Sequence, residues 1–347
     1  MNARQPVLSV ETLGPDAGEV TAWIASLGIE FRGALRFDRI GLGQSNLTFA
    51  VGDERGGRWV LRRPPLGRLL PSAHDVVREA RVLAALEGTD VPVPRVHGVR
   101  TDGDVPMVLM EFVDGLVLDR LEVAGAVSPL CRRAIGLAMA RTLADVHAVD
   151  LGATGLADAT GTRPYAERQL QRWFSQWERS KTRELPELDR LTERLMDAVP
   201  PQREVALLHG DFHLRNVIAS GENGNIAAVL DWELWTLGDP MADLGTLLAY
   251  WPEQGEAAVD VLSVTALPGF PRRDDLVRTY LDRTGRDPSA LGFWHALALW
   301  KLAIIGEGVL RRAMDDPRNR AAAGTPTAAQ IAALVAAAEH TAADAGV

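Results

Sequence analysis

Cysteine is almost missing from this chain: Cys131 is the single one in 347 residues. No intramolecular disulfide can form, and nothing here calls for an oxidising compartment. Cys131 sits in a helical pattern, where packing rather than nucleophilic chemistry is expected. A basic excess is missing as well, since 37 Lys and Arg stand against 46 Asp and Glu, a formal charge of −9. No basic cluster stands out to neutralise phosphates, so a nucleic-acid partner is not expected. Apolar runs fall short of a membrane span, and the most apolar stretch, Trp294 to Ile305, is interrupted by Lys301. The opening residues MNARQPVLSVETLG lack the apolar core of a signal peptide. These absences predict a cytoplasmic protein with no membrane partner; they leave its oligomeric state open. What remains, 47% hydrophobic and 24% charged residues, is ordinary globular composition. The length allows two modest domains or one large one, and no internal repeat is visible.

The densest signal runs from Leu207 to Leu244, LLHGDFHLRNVIASGENGNIAAVLDWELWTLGDPMADL. An apolar lead, Val205 to Leu208, enters His209-Gly210-Asp211, and Asn216 follows five residues after the aspartate. The turn cluster Ser220 to Asn225 separates Val217-Ile218-Ala219 from Ile226 to Leu230, which reads as a hairpin. The second run ends on Asp231. Asp211, Asn216 and Asp231 are thus expected together at one end of a small hairpin. Phosphoryl transfer needs such a set: a carboxylate for the attacking hydroxyl, and hard oxygen ligands for Mg²⁺. In protein kinases the catalytic Asp and metal-binding Asn share this separation, and a later Asp also takes metal.

This stretch resembles the aminoglycoside phosphotransferase and choline kinase-like family, whose signature is HGDxxxxN followed by an apolar strand ending in Asp. The continuation DWELWTLGDPMADL is similar to a subgroup that includes domains fused to acyl-CoA dehydrogenases. The resemblance implies an α+β, two-lobed protein kinase-like fold. Its small antiparallel-sheet lobe would span residues 34–112 and its mainly helical lobe residues 113–347, with residues 1–33 as an extension carrying a leading helix. It implies Asp211 as catalytic base, Asn216 and Asp231 as metal ligands, and ATP or GTP with Mg²⁺ as cofactors. His213, two residues after the base, occupies the place of a phosphate-facing lysine and is given a phosphate role.

Upstream, Val20, Trp23, Ile24 and Leu27 have amphipathic-helix spacing, and Gly28 stops the pattern. Leu35 to Ile40 and Leu47 to Val51 read as strands around Gly41-Leu42-Gly43-Gln44-Ser45-Asn46. A GxG turn alone is commonly just a hairpin. Placed here in the resemblance, Gly41, Gly43, Gln44, Ser45 and Asn46 form the phosphate-covering loop. Arg58 to Arg62 reads as the next strand, and Arg62 stands where protein kinases carry the phosphate lysine. Arg63 follows directly, so which arginine meets the nucleotide stays open. Glu79, in a helix predicted over His74 to Leu86, resembles the glutamate that pairs with the strand cation; a solvated helix charge is the alternative. Met107 to Val113 reads as an apolar strand whose end, at Glu111 and Val113, would meet the adenine edge through backbone groups.

Helices are also predicted at Leu130 to His147, Tyr165 to Arg179, Asp274 to Arg283, Phe293 to Met314 and Thr327 to Ala343, with a connector at Pro317 to Ala323. Trp173, Phe174 and Trp177 are read as core aromatics that could alternatively floor a substrate cleft. His147 is expected to pack or cap, His209 to brace its loop, and Asp239 and Asp243 to cap a helix and brace the His209-Gly210-Asp211 turn. His209 and His213 flank Asp211 in an H-x-D-x-H pattern that gives only thin support for zinc. Lys301 and Glu307 could face an acceptor or form a surface ion pair. Three functions fit: a kinase for a small hydroxyl-bearing substrate such as a hydroxyacyl-CoA, an aminoglycoside or macrolide kinase, or a silent nucleotide-binding module.

Overall fold

A computed structural model describes residues 17–41, 46–65, 75–103, 105–159, 164–253, 256, 264–316 and 324–347. Gly43, Gln44 and Ser45 of the expected phosphate loop, His74, and the connector at 317–323 lie outside the described residues. The chain forms two compact units. The first comprises Met1–Gly88, Val93–Asp114 and Asp231–Glu233; the second comprises Thr89–Pro92, Gly115–Leu230 and Leu234–Val347. Asp231 therefore belongs with the first unit, although it follows the hairpin of the second in sequence.

The first unit is built on a five-stranded antiparallel sheet. Its strands are β1 (Arg36–Ile40), β2 (Leu47–Gly52), β3 (Arg58–Arg63), β4 (Val96–Arg100) and β5 (Met107–Glu111), in the order β1-β2-β3-β5-β4. Alternation along the strands sends Phe49, Val51, Leu61, Met107 and Leu109 to one face, where Val20 and Ile24 of helix α1 (Ala17–Ser26) complete a buried cluster. The same period of two puts Arg62 and Arg63 on opposite faces. Arg63 is buried on the Phe49 side, 5.8 Å above that ring, and donates from Nη1 to the Pro64 carbonyl at 2.8 Å. Helix α2 (Val76–Leu86) packs near β4 and β5. Its cap is Asp75, which accepts from the Arg78 N–H at 2.9 Å, so the helix begins at Val76, two residues after the His74 expected from sequence.

The second unit is mainly helical: α3 (Leu121–Gly125), α4 (Pro129–His147), α5 (Tyr165–Ser180) and α6 (Pro186–Asp197) precede its short strands. Two antiparallel pairs follow. Strand β6 (Ala206–Leu208) and β9 (Thr236–Gly238) form one, and β7 (Val217–Ala219) and β8 (Ile226–Val229) form the other, the expected hairpin. Leu116 also bridges to Ala219, exchanging backbone bonds of 2.8 and 2.9 Å. Helices α7 (Met241–Ala249), α8 (Arg273–Thr284), α9 (Leu291–Asp315) and α10 (Ala328–Asp344) complete the unit. Helix α9 has the length and composition to cross a membrane, more than the interrupted apolar run suggests, but 72% of its most apolar window is buried. It packs against α5, α6, α7 and α10 as the unit's central helix. Glu307 on α9 is no surface charge: it is fully buried and accepts from the Thr182 N–H at 2.9 Å, the Thr182 hydroxyl and Arg183. Trp177 is core as expected, its indole N–H donating to Asp189 at 2.9 Å.

Candidate active site

In the second unit the strand β6 delivers His209-Gly210-Asp211 into a turn held by backbone bonds. Asp243, in the first turn of α7, is buried and accepts the His209 N–H at 2.6 Å and the Gly210 N–H at 3.0 Å. Two donors on one carboxylate fix the turn whatever the side chains do. Gly210 is required here: its φ is +83°, and a Cβ would stand 2.5 Å from the Leu234 carbonyl oxygen. The His209 ring closes the turn through Nε2 and the Leu230 carbonyl, 2.9 Å apart. Asp239 accepts the Met241 N–H at 2.9 Å from one residue before the Pro240 cap, a local turn bond at the start of α7 rather than the cap itself. Behind Asp243, the His147 Nε2 lies 3.6 Å from its Oδ2, while Nδ1 meets the Tyr280 hydroxyl at 2.7 Å. Burial pushes the His147 imidazole below its ordinary range, against the pull of Asp243.

Asp211 and Asn216 come together as the sequence spacing suggests. The Asn216 amide donates to the Asp211 carbonyl at 3.0 Å and to its Oδ2 at 3.2 Å. His213 caps the short 3-10 turn Leu214–Asn216 by accepting the Arg215 N–H on Nδ1. That leaves its Nε2 to carry the proton toward Asp211 Oδ2, 3.3 Å away. Tyr250 at the end of α7 stacks on His213 with ring centroids 4.2 Å apart, and burial beside Asp211 raises its phenol well above the ordinary range. Lys301 of α9 donates to the Gly210 carbonyl at 3.2 Å and lies 5.3 Å from the Trp173 ring. Burial lowers the Lys301 ammonium, with Asp211 and Asp243 opposing. Burial would raise the Asp211 carboxyl, but His213, Lys301 and His209 outweigh it and hold the group well below the usual carboxylate range. Asp211 is thus ionised and fixed at neutral pH.

The first unit gathers a different set. Arg62 forks between Glu79 at 3.0 Å and Asp231 Oδ1 at 2.6 Å. Glu79 is buried, not a solvated helix charge. Burial pushes its carboxyl up to about 7 despite Arg62, with Asp231 and Glu233 adding to the rise. The same carboxylates overcome burial at Arg62 and raise its guanidinium. Asp231 has φ +63°, and it is the sole non-glycine with positive φ among the described residues. Such backbone strain clusters at functional positions. Asn46 is buried and donates to Glu233 Oε2 at 3.3 Å. Gly41 has φ +78°. At the strand end, the Glu111 N–H is taken by the Arg95 carbonyl at 2.8 Å, while the Val113 N–H has no partner among the described residues.

Magnesium is tested by the atoms each residue leaves over. The Asn216 amide nitrogen is committed to Asp211, so its oxygen is the free ligand atom; Asp231 gives Oδ1 to Arg62 and keeps Oδ2. An amide oxygen and a carboxylate oxygen are hard donors of the kind Mg²⁺ takes. Zinc fares differently. No group of three or more His, Cys, Asp or Glu among the described residues is disposed to hold a metal, so the H-x-D-x-H pattern makes no zinc site. Tyr250 and Arg215 were not readable as site residues from sequence, since neither belongs to a spaced pattern.

Comparison with known proteins identifies the family. The sequence model of the phosphotransferase enzyme family (APH) matches residues 36–276. A provisionally assigned aminoglycoside phosphotransferase of Ralstonia eutropha superposes with a TM-score of 0.72 at 31% identity, over 95% of this chain and 97% of that one. A type I macrolide 2'-phosphotransferase shares the fold, with a TM-score of 0.59 at 20% identity over 96% and 98% of the two chains. With its antiparallel sheet and helical second unit, the chain has the protein kinase-like fold. It belongs to the aminoglycoside phosphotransferase (APH) family of phosphotransferases. Among curated relatives, acyl-CoA dehydrogenase family member 10 of Mus musculus is 35% identical over 305 residues, 86% of this chain and 28% of that protein. Family member 11 of Rattus norvegicus is 34% identical over 299 residues, 83% of this chain and 38% of that protein. The chain spans about a third of the length of these relatives.

Proposed function

We propose that the chain transfers the γ-phosphoryl group of ATP or GTP to a hydroxyl of a small molecule. The observation that carries this is Asp211, a carboxylate held ionised, oriented by His213 and Asn216 on a turn fixed by Asp243. The acceptor oxygen attacks the γ-phosphorus, the bond to the β–γ bridging oxygen breaks, and the nucleoside diphosphate leaves. Asp211 orients the acceptor hydroxyl. Because its carboxyl is depressed it is a weak ground-state base, and it takes the proton late, as the new P–O bond forms. Lys301 and His213 oppose the negative charge around it. Arg62, on the α2-facing side of β3 and tied to Glu79, is the arginine suited to grip the phosphates; Arg63 is committed to Pro64 and the Phe49 side. Arginine can engage phosphate oxygens in pairs. Asn216 and Asp231 would hold Mg²⁺, which supplies charge neutralisation on the phosphate oxygens. Gly41 and Asn46 border the phosphate loop, and Glu111 and Val113 offer backbone groups to the base. The GDP complex described for a related aminoglycoside 2'-phosphotransferase is consistent with a nucleotide here.

Two acceptor classes have support. The curated relatives' acyl-CoA dehydrogenase names favour a hydroxyacyl thioester, and the Ralstonia neighbour favours an aminoglycoside. ADP release with Mg-ATP across hydroxyacyl-CoAs, aminoglycosides, macrolides and choline-like amines separates them. In Asp211→Asn, turnover should fall by about 10²–10⁴-fold, while Mg-ATP still raises the melting temperature. Turnover within a few-fold of the parent in that variant would overturn the assignment of the base.

A further inference from the structure

Beside Asp211 the second unit has a small cavity of about 20 Å³, lined by Leu118, His213, Leu214, Arg215, Tyr250 and Thr265 together with Val264. It has room for one or two water-sized groups, the head of a molecule rather than its whole. His213 lies within 3.3 Å of the Asp211 carboxylate, and burial beside that carboxylate raises the Tyr250 phenol, so the cavity adjoins the base through both side chains. Leu118 and Val264 are buried and apolar, and the Thr265 hydroxyl is occupied by the Pro252 carbonyl at 3.2 Å. Among the described residues that line the cavity, Arg215 is the one arginine or lysine.

Arg215 is half-buried, on the 3-10 turn four residues after Asp211, and only its backbone N–H is engaged, by His213. Its guanidinium forms no hydrogen bond or ion pair among the described residues. Most other half-buried arginines of this unit have partners: Arg183 with Glu307, Arg168 with the Leu237 carbonyl and Arg286 with Glu204. A guanidinium held by no protein anion is open to one from a ligand, and its planar fork matches carboxylate and phosphate oxygens. Asp211 is one carboxylate among His213, Lys301 and His209, so its charge is already opposed there.

We infer that this cavity is the acceptor subsite, that Arg215 is its specificity-determining residue, and that the acceptor is an alcohol carrying an anionic group close to its hydroxyl, such as a hydroxy acid. The inference rests on the phosphotransferase reading and goes beyond the two acceptor classes named there: a polycationic aminoglycoside would set like charge against Arg215, and a neutral thioester carbonyl would bring it no anion.

The test uses Mg-ATP turnover with β-hydroxybutyrate, glycerol phosphate, neutral butanediol, choline and kanamycin. The parent chain should favour at least one of the two anionic alcohols over butanediol by at least about tenfold in kcat/KM, the two arms distinguishing a carboxylate from a phosphate head. Arg215→Gln should collapse that ratio at least about tenfold, and Arg215→Lys should restore part of it. Preference of the parent for choline or kanamycin, absence of any anionic preference, or an equal loss for acid and diol in Arg215→Gln would each overturn the inference. ATP hydrolysis with water as acceptor, lost in Asp211→Asn, reads the phosphotransferase reaction separately. If that hydrolysis persists in Asp211→Asn, it is the underlying reading that fails.

Discussion

The two charged clusters of this chain hold their carboxylates by opposite means. In the second unit Asp243 grips two backbone N–H groups, so the turn carrying Asp211 is fixed through the main chain. In the first unit Arg62 is held only by side chains, between Glu79 and Asp231. The electrostatic outcomes diverge accordingly. Surrounding cations win at Asp211 and depress it, whereas burial wins at Glu79 and raises it to about 7. A carboxylate that must stay ionised beside a reacting hydroxyl is surrounded by donors. One that only holds an arginine in place can lie close to neutralisation, which makes the Arg62 fork easier to open toward another anion.

The sharpest way to break the backbone-braced cluster is Gly210→Ala. The left-handed φ of +83° costs an alanine about 1–2 kcal/mol. The added Cβ would also sit 2.5 Å from the Leu234 carbonyl, a rigid backbone atom. A total loss of at least about 3 kcal/mol is expected from strain and displaced packing, read as a lower denaturant midpoint at unchanged slope, with turnover lost alongside. A destabilisation under about 1 kcal/mol would show that the turn can shift and that the brace is not what fixes Asp211.

How much of this was legible in sequence follows the range of the interactions. The strands β1, β2, β3 and β5, the hairpin β7–β8 and helices α4, α5 and α8 to α10 are written in local patterns. Their residues alternate or recur at helical spacing within a single window. The β6–β9 pair was not readable, because Thr236–Gly238 carries no strand pattern and pairs with residues about thirty positions earlier. Helix α7 hides for a related reason. Every residue of Met241–Ala249 is buried, so it has no polar face to set a period. At the site, Asp211, Asn216 and the Asp243 brace were visible as a spaced motif. Tyr250 and Lys301 reach the turn only through tertiary packing. Sequence left Arg62 and Arg63 side by side, and only the strand register separates them, one on each face, with Arg62 beside Glu79 and Asp231.

The side-chain-held cluster can be sharpened by pH. The folded carboxyl of Glu79 is raised to about 7 from an ordinary value of 4.5. Between those values the folded state binds more protons than the unfolded one, so this group's contribution to stability falls as pH rises through that window and is level above it. For Asp211 the sign reverses: a depressed folded carboxyl stabilises above the ordinary carboxylate range, and that contribution is lost as pH falls below it. Glu79→Gln should therefore remove on the order of 2 kcal/mol of the stability difference between about pH 5 and about pH 8, leaving the acid-side loss intact. Chemical denaturation of both proteins across that range checks it. An unchanged profile would mean that Arg62 keeps Glu79 ionised throughout.

The smallest expected effect comes from the first unit's counterpart to Gly210. Gly41 has nearly the same φ, +78°, but a Cβ there would meet nothing within 4 Å. The φ penalty and packing are thus separated at two positions of matched φ. Gly41→Ala should cost only the left-handed penalty, about 1 kcal/mol, partly offset by the smaller entropy of the unfolded alanine chain. Its catalytic effect tests the loop instead. If Gly41 borders a phosphate-covering segment, KM for ATP should rise by several-fold with kcat little changed, since the alanine perturbs approach to the nucleotide and leaves Asp211 alone. A fall in kcat with no change in KM would place the residue's influence in the transition state and contradict a covering role. A stability loss as large as that of Gly210→Ala would show that the space beside Gly41 is filled in solution.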